Sequence, residues 1–495
     1  MGLTSQELFS TIVELKLGAI IMNDNKKQNL RLVFQEGDLP SLHPHQNITH
    51  IRCVGLNKLL FESLTRIDKN QNVVLAGAAS FDVSEDMTEY TFTLKDTIWS
   101  DKEPVTAYDY ENAWKSAISN SACIRADLFD IIENAKEIRS GQKNIDDFGA
   151  KAIDSKTLKV KLAHPYPEFL ELVSSTVFAP VKSLNTFNGP FIVNEWNKGE
   201  NLSLKKNQVY WDLEDIHLDT IEISFVKDIP TGFSLFKDQK IDWIGSPISF
   251  ILPEDANKTD SRRKLSDFIL WVHINTNLPH LQSKNIRKAL SYVIDRTYIN
   301  ENILFGGNPK SFLPTSMAPF DQSFEYSPEK AKHYFETGLK ELKISHFPEI
   351  SLGYFNRPEM VELAKYLEKT LKDNLNISVK LIENNWNDFR NSQEKGEFDI
   401  AVCYESALFP GPFDLLQLIE EKQNWNKDSY QKALQLAKSS KDKKPFLKEA
   451  LETLSDEMPV ITLSNQNEIF SVNPHLQGYY FDSANSVDFT RAYFI

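Results

Sequence analysis

The sequence predicts a mixed α/β protein that is divided into two or three domains. With 495 residues the chain is too long to fold around a single core. Strand-like and helix-like patterns alternate along it, and the clearest case is a strand pattern over 89–94 followed by a helix pattern over 107–119. After Pro328 this alternation recurs several times, which favours a partly parallel sheet covered by helices.

The segment 89–114 combines a strand, a polar turn and a capped helix. Apolar residues alternate with polar ones from Tyr90 to Leu94, as in a strand with one buried face. Thr106 occupies the position of a helix N-cap, and Asp109 follows three residues later as a weak form of the capping box. The helix that follows is expected to bury Tyr110, Ala113, Trp114 and Ala117.

Several other segments have a clear period or a clear boundary signal. Ser327 and Pro328 suit the N-cap and first turn of a helix. Further helices are expected over 358–374 and 386–393. Strands are expected over 29–34, 221–226, 350–354, 379–382 and 458–463.

A single helix is also expected from Lys284 to Thr297, where apolar residues recur at helical spacing. Asp295 and Arg296 lie near its end. A structural ion pair at the helix terminus is the favoured interpretation of these two charges, ahead of a catalytic role.

The composition limits the partners and the environment of the protein. Its formal net charge of −14 argues against binding to nucleic acid phosphates, so no nucleic acid partner is expected. No run of about 18 apolar residues is present, so no membrane-spanning helix is expected. The apolar run 15–22 contains Lys16 and lacks a small-residue cleavage site, so no export signal is visible.

The sequence contains none of the common catalytic motifs. G-x-S-x-G, H-E-x-x-H, the P-loop and the dinucleotide fingerprint are all missing. Asp242, Asp295 and Glu405 would form an acid–base pair only if the fold brought two of them together. We therefore expect neither an enzyme nor any catalytic residue.

Metal and cofactor sites are not expected either. Cys53, Cys123 and Cys403 are far apart in the sequence, which fits buried free thiols better than a zinc site. His43, His45 and His50 are close together but have no neighbouring cysteine or carboxylate. Solvated loop histidines are the favoured interpretation of these three residues.

Three motifs follow one another in a fixed order along the chain. The first comprises Tyr90, Thr91, Phe92, Leu94, Trp99, Ser100, Asp101, Pro104, Val105, Thr106, Ala107, Asp109 and Trp114. The second comprises Gly189, Pro190, Phe191, Trp196, Leu204, Lys205, Asn207, Tyr210 and Trp211. The third comprises Asn275, Arg287, Ala289, Leu290, Ile294, Asp295 and Arg296. Together they resemble the signature of the family 5 extracellular solute-binding proteins, which are oligopeptide-binding subunits of bacterial ABC importers.

The resemblance implies a periplasmic-binding-protein-like α/β fold of the class II type, with two main lobes, an extra third domain and a ligand cleft between the lobes. Lobe I would be discontinuous and consist of 28–50, 187–272 and 463–495. The extra domain II would span 51–186, and lobe III would span 273–462.

The resemblance also identifies a ligand-binding segment. The stretch 398–416 aligns with family residues that lie along a bound peptide, which implicates Tyr404, Glu405, Ser406, Ala407 and Leu408. Leu408 replaces the family aspartate that holds the ligand's N-terminal ammonium. Glu405 is three residues away, about 10 Å along an extended strand, so it cannot take over this role in place.

Other family contacts are also replaced. The basic or histidine positions that meet a ligand carboxylate in some members appear here as Val402, Gln393 and Met360, and Arg357 lies near enough in sequence to compensate. The remaining candidate ligand-binding residues are Ile48, Thr49, His50 and Trp386.

Main-chain recognition by strand addition tolerates these replacements, because it requires no particular side chain. We therefore expect a solute-binding protein that captures peptides by hinge closure near Val272 and Thr462 and delivers them to the permease subunits of an ABC importer. A monomer in the periplasm or cell envelope is expected. Two alternatives remain open: the same fold binding a metal chelate or haem, and a cytoplasmic ligand sensor.

Overall fold

A computed structural model describes most of the chain. The described residues are 28–35, 37–46, 51–249, 255, 259–322, 324–407, 411–422, 424–440, 442–482 and 486–495. The apolar run 15–22 and the candidate ligand-binding residues Ile48, Thr49, His50 and Leu408 lie outside these ranges.

Strands occur along the whole described chain. They are β1 (Asn29–Phe34), β2 (Thr65–Ile67), β3 (Val73–Leu75), β4 (Ala78–Val83), β5 (Glu89–Leu94), β6 (Ala150–Ala152), β7 (Thr157–Lys161), β8 (Phe191–Asn197), β9 (Asn201–Lys206), β10 (Thr220–Phe225), β11 (Trp243–Gly245), β12 (Arg262–Ile274), β13 (Ile350–Phe355), β14 (Val379–Asn384), β15 (Ile400–Glu405), β16 (Val460–Val472), β17 (Leu476–Gln477), β18 (Tyr480–Phe481), β19 (Val487–Asp488) and β20 (Tyr493–Phe494). The strands expected from the sequence are all present.

The helices are concentrated in the second half. They are α1 (Ile51–Leu60), α2 (Ala107–Ser119), α3 (Ala135–Arg139), α4 (Phe169–Leu172), α5 (Ile229–Lys237), α6 (Lys284–Tyr292), α7 (Arg296–Asn302), α8 (Pro328–Leu342), α9 (Pro358–Leu375), α10 (Trp386–Glu394), α11 (Phe413–Glu420), α12 (Asp428–Ser439) and α13 (Lys444–Glu457). Short 3₁₀ turns occur at Ala126–Ile131, Ile145–Asp147, Thr176–Phe178, Leu213–Asp215 and Pro279–Leu281. None of the described helices is long and apolar enough to cross a membrane.

The larger sheets have different topologies. One has the order β1-β10-β9-β8, with β1 parallel to β10. A second is the antiparallel sheet β4-β5-β7-β6, which packs against α2. The third has the order β11-β16-β12-β15-β13-β14, and β13 runs parallel to both β14 and β15. The partly parallel sheet expected for the second half is therefore confirmed.

The capped helix expected after the first strand motif is also confirmed. Helix α2 begins at Ala107, and the Asp109 carboxylate accepts a hydrogen bond of 2.7 Å from the Thr106 backbone N–H. Tyr110, Ala113, Trp114 and Ala117 are all buried against the β4–β7 sheet.

The prediction of a single helix from Lys284 to Thr297 is wrong. The chain forms α6 and then α7, because the Asp295 side chain accepts from the Tyr298 N–H and caps a new helix. The predicted ion pair of Asp295 with Arg296 is also wrong. Arg296 instead donates from Nε to the Thr462 carbonyl at 2.7 Å.

Buried apolar side chains form three large clusters. The first draws its members from 269–463, the second from 64–178, and the third from 30–61, 179–248 and 470–494. Strands β12 and β16 contribute residues to the first cluster, and β16 continues into the third with Phe470 and Val472.

The pairing of β12 with β16 is long, and its register shifts twice, the second time between Leu270 and Trp271. Residues 262–265 pair with 467–470, and residues 269–273 pair with 460–465. The register shifts between Leu265 and Ile269, as at a β-bulge. The two chain crossings near Val272 and Thr462 therefore lie side by side, since Val272 pairs with Ile461 and Trp271 with Thr462.

Candidate ligand-binding site

Strand β15 ends in the candidate residues Tyr404 and Glu405, which continue into Ser406 and Ala407. One edge of β15 pairs with β12 along its whole length. The other edge pairs with β13 only at Ile400 and Ala401. Among the described residues, this second edge has no strand partner from 402 to 405, so its main-chain groups are placed for pairing with an added strand.

Arg390 on α10 brings three of the candidate residues together. Its Nη1 donates to Gln393 Oε1 at 3.0 Å and lies 3.4 Å from Glu405 Oε1. Its guanidinium carbon lies 5.8 Å from the centre of a Trp386 ring. Arg390 was missed in the sequence because nothing local signals a contact with a strand that begins ten residues later.

Glu405 is the negative centre of this group. Its carboxylate lies 2.8 Å from His273 Nε2, although the ring is not aligned for a hydrogen bond. Burial acts to raise the pKa of Glu405, but His273, Arg390 and Lys422 outweigh it and hold the pKa below its ordinary value. Burial in turn lowers the pKa of Lys422 to about 8. Glu405 is therefore a carboxylate that the protein already neutralises.

Tyr404 faces a different set of charges. Burial raises the pKa of its phenol, Glu359 adds to this effect, Arg357 opposes it, and Glu468 raises the pKa further. The Arg357 guanidinium carbon lies 5.4 Å from the Phe355 ring centre. Arg357 and Glu359 at the start of α9 and Glu468 on β16 therefore act on the same ring.

Met360, Ala407 and Val402 are part of the hydrophobic core. Met360 is 1% exposed, Ala407 is fully buried, and both belong to the first cluster, as does Val402. Their burial shows that they pack in the core. Contact of these residues with a ligand stays a prediction. The ligand contacts predicted for the other candidates stay predictions as well.

Five buried polar side chains on β12 and β16 have an atom without a hydrogen-bond partner among the described residues. These atoms are Trp271 Nε1, His273 Nε2, Thr462 Oγ1, Asn465 Oδ1 and Glu468 Oε2. Buried polar atoms are normally hydrogen-bonded, so five unpartnered atoms on one strand pair require an explanation. The strand pair thus offers both donors and acceptors to a molecule or water bound beside it.

Glu468 differs from the other four because it is an acid. It is 2% exposed. Burial raises its pKa to about 7, while a hydrogen bond from Ser246 and the charge of Lys264 act to lower it. An unpaired buried carboxylate of this kind costs folding free energy whenever it is ionised.

His43 and His45 make contacts inside the protein, and the prediction of a solvated loop histidine is wrong for His45, which is 3% exposed. His43 Nδ1 accepts from the His45 backbone N–H at 3.1 Å, and His45 Nε2 lies 3.0 Å from the Val177 carbonyl oxygen. Burial lowers the pKa of His45 to about 4. The described residues contain no group of three or more His, Cys, Asp or Glu side chains that is suited to a metal ion.

Two ion pairs connect residues 64–178, which form the second cluster, with residues 411–457, which contribute to the first cluster. Arg125 Nη2 lies 3.0 Å from Asp414 Oδ1, and Lys443 pairs with Glu168. Both carboxylates are only 7% exposed. These contacts hold residues of 64–178 against residues of 411–457.

A surface pocket lies next to the C-terminal end of β16. It has a volume of about 520 Å³ and is lined by Asn29, Arg31, Asp242, Asn473, His475, Phe494 and Ile495. Its charged side chains neutralise each other, since Arg31 and Asp242 form a bidentate pair with a contact of 2.7 Å. We assign no ligand to it.

Comparison with known proteins gives consistent matches along the chain. A family profile described as bacterial extracellular solute-binding proteins, family 5 Middle, matches residues 72–427. The oligopeptide-binding protein OppA of Bacillus subtilis is 30% identical over 481 residues, which cover 89% of this chain and 88% of that protein. The dipeptide-binding protein DppE of the same organism is 27% identical and covers 90% of this chain and 88% of its own length.

Solved structures share the fold. A periplasmic oligopeptide-binding protein of Borrelia burgdorferi superposes with a TM-score of 0.80 at 21% identity, covering 94% of this chain and 100% of that one. Peptide-bound OppA of Listeria monocytogenes superposes with a TM-score of 0.78 at 23% identity, covering 95% and 99%. The chain therefore has the mixed α/β fold of periplasmic binding proteins.

We predict that Glu405→Gln lowers the free energy of unfolding by about 2 kcal/mol at pH 7, because Arg390 loses its carboxylate partner in a largely buried site. The pKa of Glu405 is depressed in the folded state, so its stabilising effect is present above the unfolded pKa and is lost as the pH falls. Urea unfolding at pH 7 and pH 4 measures both effects.

The matched control for this prediction is Glu452→Gln, which removes an exposed pair with Lys448 one turn away. It should cost less than about 0.5 kcal/mol. Equal losses in the two variants would contradict the prediction.

We predict the opposite effect for Glu468→Gln, which should stabilise the ligand-free protein at pH 8.5. The folded pKa of Glu468 is raised to about 7, so its favourable contribution is complete below the unfolded pKa and is lost as the pH rises through 7. Removing the charge should gain on the order of 2 kcal/mol, or about 2–4 °C in melting temperature, and the gain should vanish near pH 5. A melting temperature that is equal or lower at pH 8.5 would contradict this.

Proposed function

The chain belongs to the bacterial extracellular solute-binding proteins of family 5, and on this premise we propose that it captures peptides in a cleft between lobes and delivers them to an ABC importer. The observation that carries this proposal is the similarity to the oligopeptide-binding OppA of Bacillus subtilis over almost the full length of both proteins. We propose that it acts as a monomer in the periplasm or cell envelope. The names of several relatives give a periplasmic location for those proteins.

We propose three structural bodies. Lobe I consists of 28–50, 187–272 and 463–495, the extra domain of 51–186, and lobe III of 273–462. The three separate hydrophobic clusters support this division. The buried residues of α1 pack in the third cluster, which favours moving this helix into lobe I.

The peptide would be held mainly by its backbone. The open edge of β15 leads into Ser406 and Ala407, and an extended peptide pairing there would satisfy main-chain groups that have no strand partner among the described residues. Such pairing is independent of the peptide's side chains, so the protein would accept many sequences. Trp386 and Arg357 would then line pockets for individual side chains.

Closure would take place about the β12–β16 strand pair. The register shift between Leu265 and Ile269 lies between the part of the strand pair that packs in the first cluster and the part of β16 that packs in the third. A bulge is a local irregularity in an otherwise continuous ladder, and it allows the strands to bend. The ion pairs of Arg125 with Asp414 and of Lys443 with Glu168 would stabilise the closed form.

The proposed function predicts that the purified protein carries a mixture of peptides. Native mass spectrometry, followed by gentle release and sequencing of what co-purifies, should give a ladder of different peptides, because backbone pairing does not select one sequence. After denaturation and refolding, added peptides should bind, and the binding is measured by calorimetry. A single non-peptide mass, or no binding of any peptide, would contradict the proposal.

A further prediction concerns the two ion pairs. The double variant Arg125→Gln with Lys443→Gln leaves two buried carboxylates without these partners, so the closed form should be less stable and peptide affinity should fall about tenfold. Small-angle scattering with peptide present should also show a larger radius of gyration.

The control is Arg139→Gln, which breaks a pair with Asp130 inside the extra domain. It should change peptide affinity less than twofold. If the double variant binds like the wild type and closes to the same dimensions, the ion pairs do not stabilise closure.

A further inference from the structure

Glu468 is an exception among the buried glutamates of the described chain. Glu62, Glu168, Glu405 and Glu457 each have a lysine, arginine or histidine nitrogen within 4 Å. No such ion pair involves Glu468, and its Oε2 has no hydrogen-bond partner among the described residues. One acceptor oxygen and one negative charge therefore remain unmatched in a side chain that is 2% exposed.

The nearest cation does not fill this gap. Lys264 is the register partner of Glu468 on β12. Its ammonium, however, lies 4.4 Å from the centre of the Phe481 ring and makes a cation–π contact there. Lys264 influences Glu468 through its charge but donates no hydrogen bond to it.

The position of Glu468 places this unmatched charge at the junction of the lobes. It lies on β16 just beyond the register shift, on the side that pairs with 262–265. Its charge acts on Tyr404, which is the fifth residue of β15 and the first of the residues 404–407 that we propose pair with a peptide. Glu468 therefore lies within electrostatic range of the segment that we propose pairs with a peptide.

The hydrogen-bonding geometry of the Glu468 carboxylate indicates which kind of cation it would bind. A guanidinium prefers two parallel hydrogen bonds to both oxygens of a carboxylate. Glu468 offers a single unpartnered oxygen, which suits a compact ammonium with three rotatable donors.

We propose that Glu468 binds a primary ammonium group of the captured ligand, supplied by the peptide N-terminus or by a lysine side chain. The inference rests on the proposed function, because it requires a peptide in the cleft. It assigns the recognition of positive charge to a residue outside the segment 404–408.

The test uses three peptides of one length, chosen from those that the wild type binds. The first has a free N-terminus and no lysine, the second is its N-acetylated form, and the third is N-acetylated and carries one lysine. Calorimetry measures each dissociation constant for the wild type and for Glu468→Gln, which removes the charge but keeps the shape. Circular dichroism and thermal melting check that the variant is folded.

We expect Glu468→Gln to weaken binding of the free-amine peptide at least tenfold and that of the acetylated peptide less than twofold. If lysine is the source of the ammonium, only the third peptide should lose affinity in the variant. Glu468→Asp keeps the charge on a shorter stem and should restore part of the affinity. Equal losses for all three peptides, or no loss for any, would overturn the inference.

Glu359→Gln is the matched control, because Glu359 is the other carboxylate whose charge acts on Tyr404. It should leave the ratio between free-amine and acetylated peptides unchanged within twofold. If Glu359→Gln removes the discrimination and Glu468→Gln does not, the inference is wrong. If the wild type binds none of the peptides, the proposed function fails and the inference falls with it, whereas peptide binding without discrimination refutes the inference alone.

Discussion

The antiparallel pairing of β12 with β16 is the interaction on which the rest of the structure depends. Each strand has thirteen residues, and together they connect the first hydrophobic cluster with the third. A continuous ladder would fix the two clusters rigidly to each other, but the register shift between Leu265 and Ile269 interrupts it at the junction. The same strand pair thus joins the two clusters, and we propose that closure takes place about it.

This junction also explains why polar atoms remain unpartnered inside the protein. A side chain between two cores must be shielded from water when the lobes close, yet no neighbouring secondary structure supplies its hydrogen bonds. Trp271, Thr462, Asn465 and Glu468 are in this situation. Leaving such groups unsatisfied costs about 1–3 kcal/mol each, so the ligand-free protein has free energy to gain from a polar molecule bound there. Peptide backbone and ammonium groups are suited to this need, and Glu405, which already pairs with Arg390 and lies beside His273, is not available for it.

Local signals in the sequence predicted much of the fold. The Thr106–Asp109 cap, the strand over 29–34 and the helix beginning at Pro328 were predicted correctly, because each depends on a few adjacent residues. The family resemblance is confirmed by the family profile, which matches residues 72–427. The predicted helix 284–297 failed because apolar spacing continues through Asp295, while the capping role of that residue shows only in three dimensions. Strand β16 extends beyond Leu463 through polar residues that carry no strand signal. The roles of Arg390, His273 and Glu468 arise from contacts between distant segments and from burial, neither of which one sequence reveals.

The most direct test is a crystal structure of the protein with a bound free-amine peptide. We expect the peptide backbone to pair with Tyr404 to Ala407 along the open edge of β15. We also expect a peptide ammonium nitrogen within hydrogen-bond distance of Glu468 Oε2. A peptide bound away from β15, or an ammonium held by other residues while Glu468 keeps no partner, would contradict it.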